Sequence, residues 1–286
     1  MSNQKSIIAK VEESILKSTK LNFMDSKENV DKLIKDRLSA GEKPVKSIFK
    51  STDFKGMQIF TFGDEDAENT ILYMHGGAYI NQINYQHFIY CFLLSRKLDA
   101  HVLAPVYPLA PRHNADETFD IIGELYKTLI QKNRLILMGD SAGGGFIHSF
   151  CQHLKSINLP QPDNIITFSP WVDISMSNPP YNSSDDSILG EIGLREIGKS
   201  WAGDLDTNDY KVSPLFGDNV DLADTLIFVG ENELFCRDIK KYVENLKKDG
   251  VNVKLIVGSG LFHIYPLFPI PEAKTAFDIV KKEILG

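Results

Sequence analysis

An α/β domain, built on a mostly parallel β-sheet with helices on both faces, is the fold class this sequence predicts. From Thr70 onward, apolar runs of strand length alternate with stretches of helical period, as in successive strand–helix–strand units. Several of those runs end in glycine, at Gly76, Gly139 and Gly230, where a strand must turn sharply. The 286 residues, 43% of them hydrophobic, suffice for one large domain with a sizeable core.

Before the sheet, Ile7, Ile8, Val11, Ile15 and Leu16 recur near helical period. A second amphipathic stretch, Val30, Leu33, Ile34 and Leu38, follows the polar start Asp25-Ser-Lys-Glu. The ordinary reading of such stripes is core packing, and their place ahead of the sheet also suits a lid across its top. Strands are then expected at Val45 to Lys50 and Met57 to Phe62, joined by a turn at 51–56, as an antiparallel opening. Further strands are expected from Thr70 to the glycine pair Gly76-Gly77, His101 to Tyr107, Leu135 to Met138, Asn164 to Phe168, Thr225 to Val229 and Val251 to Val257, eight in all. The intervening helices fall at Tyr85 to Leu98, Asp116 to Gln131, Ala142 to Ile157 and Arg237 to Lys248, with a last one at Glu272 to Leu285. The stretch from about 175 to 216 breaks the rhythm with Pro179-Pro180, a Ser/Asp cluster and a short helical segment from Ser187 to Trp201. It reads as an insertion.

Composition excludes several function classes. Lys and Arg number 31 against 38 Asp and Glu, a net charge of −7 without a basic run, so nucleic acid is not an expected partner. No window approaches the ~18 continuous apolar residues of a membrane span, and the N-terminus lacks a signal-peptide core. Neither a membrane nor export is therefore expected, and the cytoplasm is the expected location. Cys91, Cys151 and Cys236 are widely spaced free thiols by this reading, and no metal site or other cofactor is expected.

The chemistry centres on Gly139-Asp-Ser141-Ala-Gly143, entered by a strand and left by a helix. A serine hydroxyl is a poor nucleophile unless a sharp turn exposes it beside a base and backbone N–H donors. The alternative, a phosphate-cradling turn, lacks the spacing of either glycine-rich phosphate motif. Among seven histidines, His263 alone sits in a loop just after the last strand, where a general base can reach Ser141, while His87, His101, His113, His148 and His153 read as bystanders. The orienting acid is expected after the preceding strand, where Glu231, Glu233 and Asp238 compete, with Asp238 also placed to cap the next helix. His75-Gly76-Gly77 ends an earlier strand; the N–H groups of Gly76 and Gly77, with that of Ala142, are the expected oxyanion donors. His75 itself reads as a residue that fixes the loop.

His75-Gly-Gly-Ala-Tyr79, about 60 residues before Gly139-Asp-Ser-Ala-Gly-Gly144, resembles the hormone-sensitive-lipase-like branch of the α/β-hydrolases, in particular its bacterial acetyl esterases and carboxylesterases. Pro105-Val-Tyr-Pro-Leu-Ala-Pro111, Ser169-Pro-Trp-Val-Asp173, Val212-Ser-Pro-Leu-Phe216 and Phe262-His263 extend the resemblance from Ile71 to Phe268. It implies an α/β-hydrolase fold with a cap made from about residues 1–43 and the insertion at 175–216. It selects Glu233 as the acid, three residues after Gly230, with glutamate where the family more often has aspartate. The implied activity is a serine carboxylesterase acting through an acyl-enzyme on small acetyl to butyryl esters. Amide or peptide hydrolysis would use the same triad. A non-catalytic receptor, as in the plant gibberellin receptors that resemble this family, is disfavoured because His263 is present. Tyr79, Phe146 and Trp171 are expected near the acyl pocket; whether the chain forms a homo-oligomer stays open.

Overall fold

In the computed structural model, which describes residues 5–19, 26–41, 43–179 and 186–286, eight strands join in one sheet. In chain order they are β1 (Ser51–Phe54), β2 (Met57–Phe62), β3 (Asn69–Met74), β4 (Ala100–Pro105), β5 (Arg134–Asp140), β6 (Asn164–Phe168), β7 (Thr225–Gly230) and β8 (Val253–Gly258). Their spatial order is β1-β2-β4-β3-β5-β6-β7-β8. The β1–β2 and β2–β4 pairings are antiparallel, and every later one is parallel.

Helices α3 (Tyr85–Leu98), α4 (Ala115–Leu129), α5 (Ser141–Ser156), α7 (Cys236–Lys248) and α8 (Pro271–Leu285) cover the sheet. Alternation along β3 and β5 divides the core. Leu72, Met74 and Leu137 face α4 and α5 with Phe119, Phe146 and Phe150. Ile71, Tyr73, Ile136 and Met138 face α3 and α8 with Phe88, Leu94 and Val280. Both faces being covered, β3, β4, β6 and β7 are buried at every position. Each large apolar side chain so buried contributes about 1.5–3 kcal/mol of transfer free energy.

The opening hairpin departs from the sequence expectation. The turn is the two-residue Lys55-Gly56, both at positive φ of 52° and 89°, and the segment read as a turn is itself strand β1. Residues 45–50 form no strand; instead, the backbone of Val45 is held by the Gln58 side chain, at 3.0 and 3.1 Å.

Ahead of the sheet lie α1 (Ile7–Thr19) and α2 (Lys27–Ala40). Of the stripe expected to pack on the core, Leu16 does so, whereas Ile7, Ile8, Val11 and Ile15 are exposed. Helix α1 docks through Ala9 and Leu16 and through polar ties: the Ser6 N–H and hydroxyl donate to Glu272, and Lys5 donates to the Gly260 carbonyl and pairs with Glu13. Helix α2 buries Val30 and packs on α6 (Glu191–Ala202), the helix of the insertion. That helix begins later than expected because the Asp186 carboxylate accepts the N–H groups of Ile188 and Leu189, holding a turn where the first helical residues were expected. Asp25, Pro180 and residues 183–185 of the Ser/Asp cluster lie outside the described residues. The three cysteines are buried and unpaired. No described helix is long and apolar enough to cross a membrane.

Candidate active site

Strand β5 delivers Ser141 to the first position of α5 with φ of +50°, a left-handed conformation that costs a non-glycine residue energy and throws the side chain clear of strand and helix. This close turn requires a glycine at 143, where a Cβ would stand 2.1 Å from the Met74 carbonyl oxygen at the end of β3.

Three loops at the carboxyl ends of β5, β7 and β8 then converge. His263 Nε2 lies 2.9 Å from Ser141 Oγ. Its Nδ1 lies 3.1 Å from Glu233 Oε1. An ionised carboxylate only accepts, so Nδ1 carries the proton and the Nε2 lone pair faces the serine hydroxyl. Burial alone would depress the imidazole; the charge and hydrogen bond of Glu233, then the charges of Asp186 and Asp140, outweigh it and hold His263 above its ordinary value. All three side chains are shielded, with Ser141 only 6% and His263 2% exposed.

The competing carboxylates are occupied elsewhere. Glu231 accepts the Gly260 N–H and the Ser259 hydroxyl. Asp238 is not a cap: α7 begins at Cys236, so Asp238 falls inside its first turn, where it is buried and accepts from Asn178 at 3.0 Å.

Two residues that sequence reasoning missed complete the surroundings. Glu233 Oε2 accepts from Ser169 Oγ at 2.7 Å and from the Gly230 N–H at 2.8 Å, and Ser169 Oγ in turn accepts the Ile264 N–H at 2.9 Å. Ser169 thereby ties the acid to the histidine loop; its place just past β6 was the available signal. Asp186, from the insertion, is buried, which pushes its carboxyl up, and it accepts the N–H of Leu234 next to Glu233 at 2.9 Å. Nothing in the local sequence marks it.

The loop after β3 lies beside Ser141, and it corrects one expectation. The Gly76 N–H, expected to face the substrate, donates to Asp140 Oδ1 at 3.1 Å, because a buried carboxylate takes the nearest donor. Gly77 has φ of +124°, and a Cβ there would stand 2.5 Å from the Asn81 carbonyl oxygen. The Ala142 N–H belongs to the first turn of α5, where no intrahelical acceptor exists and Asp140 supplies no side-chain cap. His75 Nδ1–H donates to the Gly76 carbonyl at 2.7 Å, its own carbonyl accepts from Tyr107 Oη at 2.7 Å, and burial pulls its imidazole down to about 3.

Tyr79 and Trp171 join a column of rings. Trp201 of α6 stacks on Tyr79 at 4.1 Å, Tyr79 and Phe235 each lie 5.7 Å from Trp171, and Phe235 meets His263 edge-on at 5.2 Å. The Trp171 backbone N–H donates to the Ser141 carbonyl at 2.9 Å. Phe146 instead packs on Phe119 and Phe150. Tyr79, Phe146 and Trp171 are at most 1% exposed, so in this conformation they are packed core rather than the wall of an open channel. An open cavity of about 950 Å³ lies behind the loop after β3, reached by Ile80 and Tyr107 and not by Ser141, Glu233 or His263. Among the described residues, no group of three or more His, Cys, Asp and Glu side chains is arranged to hold a metal ion.

Comparison with known proteins agrees with this architecture. An esterase of Acinetobacter venetianus is 30% identical over 220 residues, covering 73% of this chain and 72% of that one. An acetyl-hydrolase of Streptomyces hygroscopicus is 26% identical over 218 residues, 73% of each chain. The solved structure of an esterase/lipase from an uncultured bacterium superposes with a TM-score of 0.84 at 25% identity over 98% of both chains. That of a hormone-sensitive lipase from a metagenome library reaches 0.81 at 24% identity, over 96% of this chain and 97% of that one, a likeness of fold. The sequence profile of the alpha/beta hydrolase fold family matches residues 71–267, a span that holds Ser141, Glu233 and His263, and the chain belongs to that family.

Proposed function

We propose that the protein is a serine carboxylesterase that hydrolyses small esters with acetyl to butyryl acyl groups through an acyl-enzyme. The observation that carries the reading is the hydrogen-bonded chain Ser141–His263–Glu233, at 2.9 and 3.1 Å. Ser141 Oγ attacks the ester carbonyl carbon as its proton passes to His263 Nε2, and Glu233 stabilises the imidazolium from the Nδ1 side. The carbonyl oxygen, now an oxyanion, is held by the N–H groups of Gly77 and Ala142. His263 then protonates the departing alcohol. In the second half, a water gives a proton to His263, attacks the acyl carbon and releases the acid with Ser141 restored.

The short acyl preference draws support from the names of the relatives, an esterase and an acetyl-hydrolase. The N-terminal helices and the insertion act as a cap, since α2 rests on α6 and α6 reaches the ring column through Trp201. The three unpaired thiols fit a cytoplasmic enzyme. Initial rates on p-nitrophenyl esters of two to twelve acyl carbons test the proposal. Turnover should peak at two to four carbons and vanish in Ser141→Ala. A preference for long chains would remove the substrate class; a folded wild-type protein inert toward every ester would remove the activity.

A further inference from the structure

Asp140 precedes the serine, is fully buried and takes no part in the transfer steps above. Its Oδ1 accepts from Tyr73 Oη at 2.7 Å and from the Gly76 N–H at 3.1 Å, and its Oδ2 lies 3.3 Å from His87 Nε2. The tautomer of His87 follows from its other nitrogen. Nδ1 faces the Asn84 N–H at 3.1 Å, a group that only donates, so Nδ1 accepts and the proton sits on Nε2, directed at Asp140. The imidazole is aimed by the start of α3, where Asn84 Oδ1 accepts the N–H groups of Gln86 and His87 in a reciprocal cap. Although it lies in a helix and looked like a bystander in sequence, His87 ends inside the core beside the loop after β3.

We propose that His87, together with Tyr73, is a positioning residue for the oxyanion donors. The two fix the Asp140 carboxylate, which grips the Gly76 N–H and so aims the adjoining Gly77 N–H relative to Ala142. Asp140 suits this role because it lies one residue from Ser141 along the chain and one hydrogen bond from Gly76 across the sheet. One carboxylate therefore references both donor strands to the nucleophile. Burial alone would raise the Asp140 carboxyl, but the hydrogen bonds donated by the His87 ring and the Tyr73 hydroxyl outweigh it and hold the carboxyl below its ordinary value. An ionised carboxylate accepts three donors at once, whereas a protonated one would turn a donor toward one of them. A set of this kind acts on transition-state binding more than on substrate binding, because the oxyanion exists only after attack.

The proposal rests on the ester-hydrolase reading and is tested with His87→Ala, His87→Gln and Tyr73→Phe in the full chain. For each, kcat and KM on p-nitrophenyl acetate are measured beside the inhibition constant of a short alkyl trifluoromethyl ketone, whose serine adduct carries the oxyanion. His87→Ala should lower kcat by about 10- to 100-fold with KM within threefold, the scale of a small misplacement of a catalytic group. The ketone should weaken by a matching factor. His87→Gln, whose amide can donate to Asp140, should recover part of the loss, and the near-isosteric Tyr73→Phe should shift both quantities in the same direction with the fold intact. If both folded His87 variants and Tyr73→Phe keep wild-type kcat and ketone affinity, the positioning role is wrong and the esterase reading stands. Loss of kcat without loss of ketone affinity would also overturn it, since damage would then lie outside the oxyanion site. A wild-type protein that neither turns over esters nor binds the ketone would overturn the functional reading and this one with it.

Discussion

Replacing Glu233 with Gln keeps its volume and removes its charge, and the hydrogen bonds around it dictate the outcome. The second carboxylate oxygen accepts two donors, the Gly230 N–H and the Ser169 hydroxyl. In Glu233→Gln the amide oxygen takes that place, which turns the amide NH₂ toward His263 Nδ1. Nδ1 must then accept, so the proton moves to Nε2 and confronts the Ser141 hydroxyl, where no base remains. The opposite amide orientation preserves the productive tautomer but sets NH₂ against a fixed backbone N–H, and an unmet buried donor costs about 1–3 kcal/mol. At about 1.4 kcal/mol per factor of ten, the productive form falls by about 5- to 150-fold. Loss of the charge that stabilises the imidazolium adds to this, giving a decrease in kcat of about 10²–10⁴ overall. The assay is kcat on p-nitrophenyl acetate with the melting midpoint measured in parallel, alongside Glu231→Gln and Asp238→Asn. Glu233→Gln retaining more than about a tenth of wild-type kcat, or Asp238→Asn losing activity while Glu233→Gln keeps it, would refute the assignment.

His263 is held above its ordinary value of 6.5, and only its neutral form accepts the serine proton, so kcat/KM should fall as pH drops through a midpoint above 6.5. In Glu233→Gln the residual activity should show this midpoint moved to lower pH; a pH–rate series that leaves it in place would contradict the pairing. Deleting residues 1–40 uncovers α6 where Val30 is buried and frees the Gly260 loop from Lys5, so KM and acyl-length preference should both change. If neither changes in the truncated protein, the segment is an appendage and not a cap. Trp201→Ala removes a fully buried ring stacked on Tyr79 and should cost about 3–5 kcal/mol in urea unfolding, and a loss below 1 kcal/mol would mean that the ring column does not hold the cap.

The sequence spoke clearly where side-chain type governs structure. The expected bounds of α3 and β6 coincide with the observed ones, because Asn84 marks the helix start and an unbroken apolar run marks a strand covered on both faces. Strand β1 was illegible: Ser51-Thr-Asp is an exposed edge held by backbone pairing to β2, and nothing in its polar side chains announces it. The stripe on α1 misled in part for the converse reason, since the helix is fastened by Ala9, Leu16, Ser6 and Lys5 and not by its isoleucines. Within the site, Ser141 and His263 could be placed by strand ends alone, whereas choosing Glu233 required the family resemblance, which implies an acid three residues after Gly230. The commitment of Gly76 to Asp140 and the arrival of Asp186 beside Glu233 come from chain crossings 64 and 48 residues apart, which local patterns do not encode.

Nucleophilic catalysis by Ser141 is tested most directly by incubating the protein with a fluorophosphonate, locating the adduct by peptide mass spectrometry and following residual turnover of p-nitrophenyl acetate. Modification of one residue, Ser141, in step with loss of activity, and no labelling of Ser141→Ala, is the expected result. An adduct at another residue, or ester turnover that survives in Ser141→Ala, would contradict it.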